Sequence, residues 1–169
     1  MAATEFFLDL QTATQQADCP SQAVFTTWAQ LALQQTEPSL GAEVTLRLVD
    51  EAESQALNAT YRGKNKPTNI LSFPCDAPID FAAEGELTLL GDLIICAPLV
   101  VAEAQAQNKP ALHHWAHLVI HGMLHLQGYD HETPEQASCM ETLEIQLLSQ
   151  LGIPDPYTAT TEQADSQTP

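Results

Sequence analysis

Positive charge is scarce in this chain. Only five of its 169 residues are lysine or arginine, against 22 aspartates and glutamates, and the formal net charge is −17. A protein that holds nucleic acid by neutralising its phosphates needs many cations, so this composition argues against non-specific coating of nucleic acid. Any nucleic-acid substrate must then be reached through a local site or with the help of other proteins.

The sequence also lacks long apolar runs and paired cysteines. No stretch approaches the roughly 18 to 20 apolar residues of a membrane span, and the first residues carry neither the basic region nor the apolar core of a secretory signal. The four cysteines are far apart and form no Cys-x-x-Cys pair, so we expect reduced thiols rather than disulfides or a cysteine-bound metal. We therefore expect a cytoplasmic protein with no membrane partner.

Apolar residues are abundant enough for one hydrophobic core. They make up 44% of the chain, and a chain of this length can bury most of its apolar surface in a single unit. We predict one domain over residues 1–157. Residues 158–169 form a polar tail that we expect to be disordered.

Hydrophobic periodicity predicts alternating strands and helices. Strands are predicted at residues 5–10, 43–49, 69–73 and 87–96, with an acidic loop over 75–86. Five helices are predicted. One starts at residue 20 or 21 and one at residue 110, and the others span residues 50–60, 98–107 and 133–151. Asp50 with Glu53 resembles a capping box, as does Thr133 with Gln136. Gly91 interrupts its strand, which indicates a bulge or a close approach of another backbone.

The most informative feature is a row of histidines. His114, His117, His121 and His125 are spaced three, four and four residues apart, which places them on one stripe of a helix. The last two lie one turn apart, so both can reach one cation at about 2.0 to 2.1 Å from each nitrogen. The first two are expected to be supporting groups, substrate contacts or proton carriers.

A third ligand can follow the end of this helix. Gly128 can adopt the left-handed conformation that closes a helix and can turn the chain so that His131 approaches the pair His121 and His125. Structural zinc is normally closed by four protein ligands, whereas three histidines leave a position for water. The spacing therefore predicts a catalytic zinc site, with another divalent transition metal as the alternative.

A short basic segment offers a second functional feature. Arg62, Lys64 and Lys66 account for three of the five cations and lie within five residues. Beside a metal site, a loop that carries an arginine suggests a phosphate or carboxylate in the substrate.

Four motifs in order resemble a known family. They are Asn58-x-x-Tyr61-Arg-Gly-Lys64, Pro67-Thr-Asn-Ile-Leu-Ser-Phe-Pro74, Leu90-Gly-Asp92 and His121-Gly-x-Leu-His125-Leu-x-Gly-Tyr-Asp-His131. Together they closely resemble the bacterial YbeY family of metal-dependent, single-strand-specific endoribonucleases, over about residues 5 to 157. Relatives often carry aspartate where this chain has Asn69, so no carboxylate role is placed there.

The resemblance implies both a function and a fold. It implies zinc ligation by His121, His125 and His131, with Arg62 as the catalytic or phosphate-contacting residue. The job would be 3′-end maturation of small-subunit (16S) ribosomal RNA and ribosome quality control. The fold implied is a single α+β domain, with a mixed sheet of about four strands packed with five to six helices. The metal site would lie on a central helix and the following turn.

The source of the proton transfer stays open at this stage. Zinc peptidases with His-Glu-x-x-His place their general base directly after the first ligand, but that position is Gly122 here. The metal-activated water alone, His117, Asp130 or the 2′-hydroxyl of an RNA substrate could serve instead. Asp130 could also simply orient a ligand histidine.

Three classes of function are therefore considered. The leading one is a zinc-dependent endoribonuclease that acts on single-stranded ribosomal RNA. The second is a zinc hydrolase of a small phosphate or amide, and the third is a ribosome-assembly factor with a structural metal. The small ribosomal subunit, its proteins or a ribosome-maturation GTPase are the expected partners, because so acidic a protein needs help to reach RNA.

Overall fold

The computed structural model describes residues 5–36, 41–75 and 88–157. The tail predicted at residues 158–169 and all but the first residue of the predicted loop 75–86 lie outside the described residues. The elements in chain order are β1 Phe6–Ala13, α1 Gln22–Thr36, β2 Ala42–Val49, α2 Glu51–Arg62, β3 Ile70–Pro74, β4 Thr88–Cys96, α3 Ala97–Ala106, α4 Ala111–Leu126 and α5 Pro134–Gln150.

The four strands of the described residues form one mixed sheet in the order β1-β2-β4-β3. Strands β1 and β2 are parallel, as are β2 and β4, whereas β3 runs antiparallel to β4. Residues alternate between the two faces of a strand, and on β2 the apolar positions Val44, Leu46 and Leu48 are buried. With five helices around this sheet, the predicted α+β domain with a mixed sheet is confirmed.

Helix α4 is the central buried helix that the sequence predicts. Its apolar residues Trp115, Val119, Ile120 and Met123 are at most 2% exposed, because the helix packs against α1, the sheet and α5. Leu112 lies in the first turn of the helix and is 53% exposed. The buried apolar face therefore begins at Trp115.

Gly91 sits at a β-bulge, as its place in the strand predicts. Glu43 pairs with Leu89 and Val44 pairs with Gly91, which leaves one extra residue in β4. The φ angle of Gly91 is +145°, and a Cβ atom there would lie 2.2 Å from the carbonyl oxygen of Phe73. Only glycine therefore allows β3 to pack this closely against β4.

The two predicted capping boxes have different outcomes. At α5 the Thr133 side chain accepts from the Gln136 N–H, and the Gln136 side chain accepts from the Thr133 N–H, so that capping box is confirmed. The prediction for α2 is wrong, because Asp50 makes no side-chain cap. Its carboxylate instead accepts from the Thr14 hydroxyl and the Gln15 N–H. These donors, from the segment after β1, take the acceptor that the helix would use.

Glu53, the other half of the α2 box, is also engaged elsewhere. Its carboxylate pairs with Arg47 of β2 at 2.7 Å. A charged donor from β2 thus replaces the backbone N–H that a capping box would offer. None of the helices in the described residues is both long and apolar enough to span a bilayer.

Candidate metal centre

Three of the predicted site histidines meet at one end of α4. The Nε2 atoms of His121 and His125 are 3.1 Å apart, as expected for side chains one turn apart on the same face. Helix α4 ends at Leu126, and Gly128 follows with a φ angle of +100°. The chain then returns His131, whose ring centroid lies 5.0 Å from that of His125.

The three imidazoles have the arrangement that a metal ion requires. One nitrogen from each of His121, His125 and His131 lies within 4.8 Å of the others. Two nitrogens bound to one tetrahedral zinc at 2.0 to 2.1 Å would be about 3.3 Å apart, close to the 3.1 Å between His121 and His125. No fourth side chain joins this cluster within the described part of the chain. The donor set thus fits a divalent transition metal and leaves a position for water or substrate.

The environment also favours the neutral imidazole that binds metals. Burial lowers the pKa of His125, and the neighbouring charges of His121 and His131 lower it further. A neutral ring keeps a lone pair for a metal, whereas a protonated ring has none. His125 is therefore suited to bind a metal at neutral pH.

The three histidines line a cleft of about 630 Å³. Ile70, Ser72 and Pro74 form one wall, because alternate residues of β3 face the same side. The turn after α4 forms the opposite wall, and it includes Asp130. The volume lies within the range of about 300 to 1,000 Å³ that is typical of ligand clefts.

Arg62 lines the same cleft. It is the last residue of α2, and Gly63 ends the helix with a φ angle of +70°. Among the described residues that line the cleft, Arg62 is the only lysine or arginine. Lys64 and Lys66 are exposed on the following loop and do not line it. Of the three cations in the predicted basic segment, the fold thus brings one to the cleft of the three histidines.

Gly122 occupies the position of a peptidase general base, and it does not face the cleft. A Cβ atom there would lie 2.7 Å from the Leu93 side chain and 2.8 Å from that of Ile70. Because the position is packed against the sheet, a glutamate could not reach a metal-bound water from it. The geometry thus agrees with the sequence in disfavouring a His-Glu-x-x-His peptidase.

His114, at the other end of the histidine row, belongs to a buried network. Its Nε2 atom lies 2.8 Å from Glu103 Oε1, and the Asn69 amide donates to the same oxygen at 3.0 Å. Burial alone raises the pKa of Glu103, but the hydrogen bonds from His114 and Asn69 outweigh it, so the pKa is lowered. Asn69 is suited to this place because its amide donates, whereas an ionised aspartate would only repel Glu103.

Glu144 of α5 is a site residue that sequence reasoning missed. It is fully buried, and its Oε2 lies 3.0 Å from His121 Nδ1 while its Oε1 lies 2.6 Å from His117 Nε2. Burial by itself raises the pKa of Glu144, but the two histidine hydrogen bonds lower it to about 2. The available signal was its position between Met140 and Leu147 on the buried stripe of α5, where a lone carboxylate requires a partner.

The two candidate proton carriers have different positions. His117 is tied to Glu144 and does not line the cleft, and burial lowers its pKa. Asp130 does line the cleft, and its carboxylate accepts the backbone N–H of His131 at 2.8 Å. Asp130 thus fixes the backbone of the third histidine rather than its ring.

An α+β domain with three histidines converging beside an arginine in a cleft has the features of a metal-dependent hydrolase. The family model described as endoribonuclease YbeY matches residues 9–152. The chain therefore belongs to this family of metal-dependent endoribonucleases, which act in ribosomal RNA maturation.

A solved structure shares the fold. The chain is similar to the solution structure of TM1509 from Thermotoga maritima, with a TM-score of 0.53 and 22% sequence identity. The match covers 89% of this chain and 99% of the other. At this level of identity the similarity supports the architecture alone.

Proposed function

We propose that this protein cleaves single-stranded RNA at the 3′ end of the small-subunit (16S) ribosomal RNA precursor with one Zn²⁺ ion. His121, His125 and His131 hold the ion, and Arg62 is the catalytic residue that contacts the phosphate. One observation carries the proposal. Three imidazoles converge on one cleft, and Arg62 is the only lysine or arginine among the described residues that line it. An arginine fork suits the oxygens of a phosphodiester.

The chain's own residues supply binding and charge stabilisation. When bound, the metal ion supplies a Lewis acid and lowers the pKa of a coordinated water. Arg62 donates hydrogen bonds to the phosphate oxygens on which negative charge develops, and such a donor contributes most when the charge is greatest. Asp130 lines the cleft and can receive a proton there, whereas His117 is held outside it by Glu144. The 2′-hydroxyl of the RNA is the other source of a nucleophile.

The negative net charge suggests that the protein needs partners to reach its substrate. With a net charge of −17, and with one cation in the described cleft lining, the protein has little electrostatic attraction for bare RNA. We therefore propose that it acts in the cytoplasm on the small ribosomal subunit, where ribosomal proteins or a maturation GTPase deliver the substrate. Ribosome quality control would use the same docking and the same cleft.

A cleavage assay tests the activity. A single-stranded RNA with the sequence of the precursor 3′ end is incubated with metal-replete protein, chelator-stripped protein and the His125→Ala variant, beside the same RNA annealed to its complement. We expect cleavage only of the single strand and only by the metal-replete protein, with activity restored by added Zn²⁺.

Two results would contradict the proposal. Equal cleavage after metal removal would eliminate the metal centre as the active site. Failure to cleave RNA together with rapid hydrolysis of a small phosphodiester would favour a hydrolase of small phosphates. Elemental analysis of the purified protein, with about one zinc per chain expected, identifies the ion.

A further inference from the structure

A buried hydrogen-bonded cluster lies directly behind His121. It consists of Glu144, His117 and Tyr157, which we call the Glu144 cluster. Glu144 Oε1 lies 2.6 Å from His117 Nε2 and accepts the Tyr157 hydroxyl at 2.6 Å. Glu144 Oε2 lies 3.0 Å from His121 Nδ1. Both oxygens of this fully buried carboxylate are thus occupied, and one contacts a proposed metal ligand.

The contact with Glu144 determines which nitrogen of His121 carries the proton. An ionised carboxylate can only accept hydrogen bonds, so the Nδ1 atom of His121 must donate. In the neutral ring the Nε2 atom is then left with its lone pair, and this atom lies 3.1 Å from Nε2 of His125. A carboxylate behind a histidine ligand fixes the tautomer and the ring orientation and increases the basicity of the ligand.

The segment after α5 completes the cluster. The ring of Tyr157 packs edge-on against His117, with 5.3 Å between centroids. The Tyr157 backbone N–H donates to Asp155 at 2.7 Å, which holds the residue in place although it is 44% exposed. Tyr157 thus lies against the Glu144 cluster and lines a small pocket together with Glu144, His121 and His131.

We propose that Glu144 is a positioning residue that holds His121 ready to bind the metal, and that Tyr157 holds Glu144 through its hydroxyl. Metal affinity would then depend on the segment 153–157, which does not line the catalytic cleft. This inference rests on the proposed ligand role of His121. It concerns Glu144 and Tyr157, which do not line the catalytic cleft.

A second cation could in principle bind to the same atoms. His117, His121 and Glu144 each offer a ligand atom, and these lie within 4.8 Å of one another. The distances favour hydrogen bonding, because 2.6 Å between His117 Nε2 and Glu144 Oε1 is shorter than the about 3.3 Å between two ligands of one tetrahedral ion. We therefore assign a proton, not a metal, to each of these contacts.

Metal competition tests the proposal. The affinity for Zn²⁺ is measured against a chromophoric chelator for the parent, Glu144→Gln and Tyr157→Phe, and the visible spectrum of each Co²⁺-loaded protein is recorded. We expect Glu144→Gln to weaken binding about 10- to 100-fold and to shift the Co²⁺ spectrum. Tyr157→Phe should weaken binding less, because Glu144 loses one of its hydrogen bonds but keeps those to His117 and His121. Stoichiometry should stay at one ion per chain.

Matched controls separate this effect from a general loss of charge or hydroxyl. The controls are Glu135→Gln and Tyr61→Phe. Glu135 lies in the first turn of the same helix as Glu144, and Tyr61 lies on α2, where its ring packs against that of Phe73. Both should bind Zn²⁺ as the parent does, and circular dichroism shows whether each variant is folded. Because Glu144→Gln could unfold the protein, Tyr157→Phe provides an independent test at a half-exposed position.

The possible results can be told apart. Parent-like Zn²⁺ affinity in folded Glu144→Gln and in Tyr157→Phe would overturn the inference and leave the proposed function intact. Two ions in the parent and one in Glu144→Gln would also overturn it, in favour of a second cation site. If the parent itself binds no Zn²⁺, the proposed function fails first, and the inference fails with it.

Discussion

The two ends of the histidine row on α4 differ in their surroundings although they share one helix and one stripe. His114 is 4% exposed and lies against Glu103 of α3, whereas His125 faces the cleft with His121 and His131 as its neighbours. At the closed end, where His114 and His117 lie, a neighbouring helix provides a carboxylate for the Nε2 atom of each ring, while the buried Nδ1 atoms have no hydrogen-bond partner within the described residues. At the open end the ring nitrogens face one another and remain available for a metal.

The comparison shows that helix spacing selects candidates but does not assign roles. All four residues satisfy the same geometric requirement, since residues three or four apart share a helix face. What separates them is the contribution of α3, α5 and the turn after Gly128. A substitution at one end should therefore leave the property that belongs to the other end unchanged.

Removal of a cleft histidine should have the largest effect. We expect His125→Ala to reduce Zn²⁺ affinity by more than the about 10- to 100-fold that is typical for loss of a group behind a ligand. RNA cleavage should fall to background. The free energy of unfolding of the metal-free protein should change little, because the side chain is at the cleft surface. Metal content equal to that of the parent in elemental analysis would show that the open end is not a metal site.

The arginine of the open end should affect catalysis and leave the metal in place. Arg62→Ala should lower kcat by about 10²- to 10³-fold, the usual cost of losing one donor to the transition state. Zn²⁺ content and thermal stability should match the parent, because Arg62 is exposed at the end of α2. Lys64→Ala is the matched control, since Lys64 lies on the same loop and does not line the cleft. Equal rates for parent and Arg62→Ala would exclude a catalytic role.

Removal of the partly buried charge of Glu103 at the closed end should affect stability and leave the metal in place. Glu103→Gln keeps the shape but removes the charge that accepts from His114 and Asn69, which should cost about 1 to 3 kcal/mol in the free energy of unfolding. Chemical denaturation at pH 7 measures this cost. Unchanged stability, or loss of bound Zn²⁺, would contradict the division between the two ends.

The destabilisation caused by Glu103→Gln should also depend on pH. Because the folded-state pKa of Glu103 is lowered, its contribution to stability is present above the unfolded value of about 4.3 and is lost as the pH falls through the folded value. The difference in the free energy of unfolding between the parent and Glu103→Gln should therefore become smaller below about pH 4. A difference that stays constant down to acid denaturation would show that the charge of Glu103 is not involved.

Much of the fold was predictable because its signals are local. The 3.6-residue period identifies α4, the glycine at Gly91 indicates the bulge, and Thr133 with Gln136 gives the capping box of α5. The α2 box was predicted wrongly because Thr14, 36 residues from Asp50, and Arg47, six residues from Glu53, bind the two carboxylates instead. The contact between Thr14 and Asp50 is not visible in a short sequence window.

The candidate site, like the fold, was predictable only where its signals are local. The spacing of His121, His125 and His131 is local, and the fold brings these residues together. Glu144 joins His121 from a helix 23 residues further along the chain, and only a fold determines which helices pack together. A carboxylate on the apolar stripe of α5 shows that a partner is needed but does not identify it.

The smallest effect should be the salt dependence of RNA binding, which tests how cationic the open end is. On a single strand the slope of log affinity against log salt is about −0.7 per neutralised phosphate, so Arg62, Lys64 and Lys66 together allow about −2. Fluorescence anisotropy with a short labelled RNA measures this slope, and Lys64→Ala should make it shallower by about 0.7. A slope of about −3 or steeper, which requires more phosphate contacts than these three cations offer, would show that cations outside this segment also bind the RNA. A shallow slope combined with co-sedimentation on small ribosomal subunits would assign substrate selection to the partner, because three exposed cations on a body of charge −17 cannot provide it.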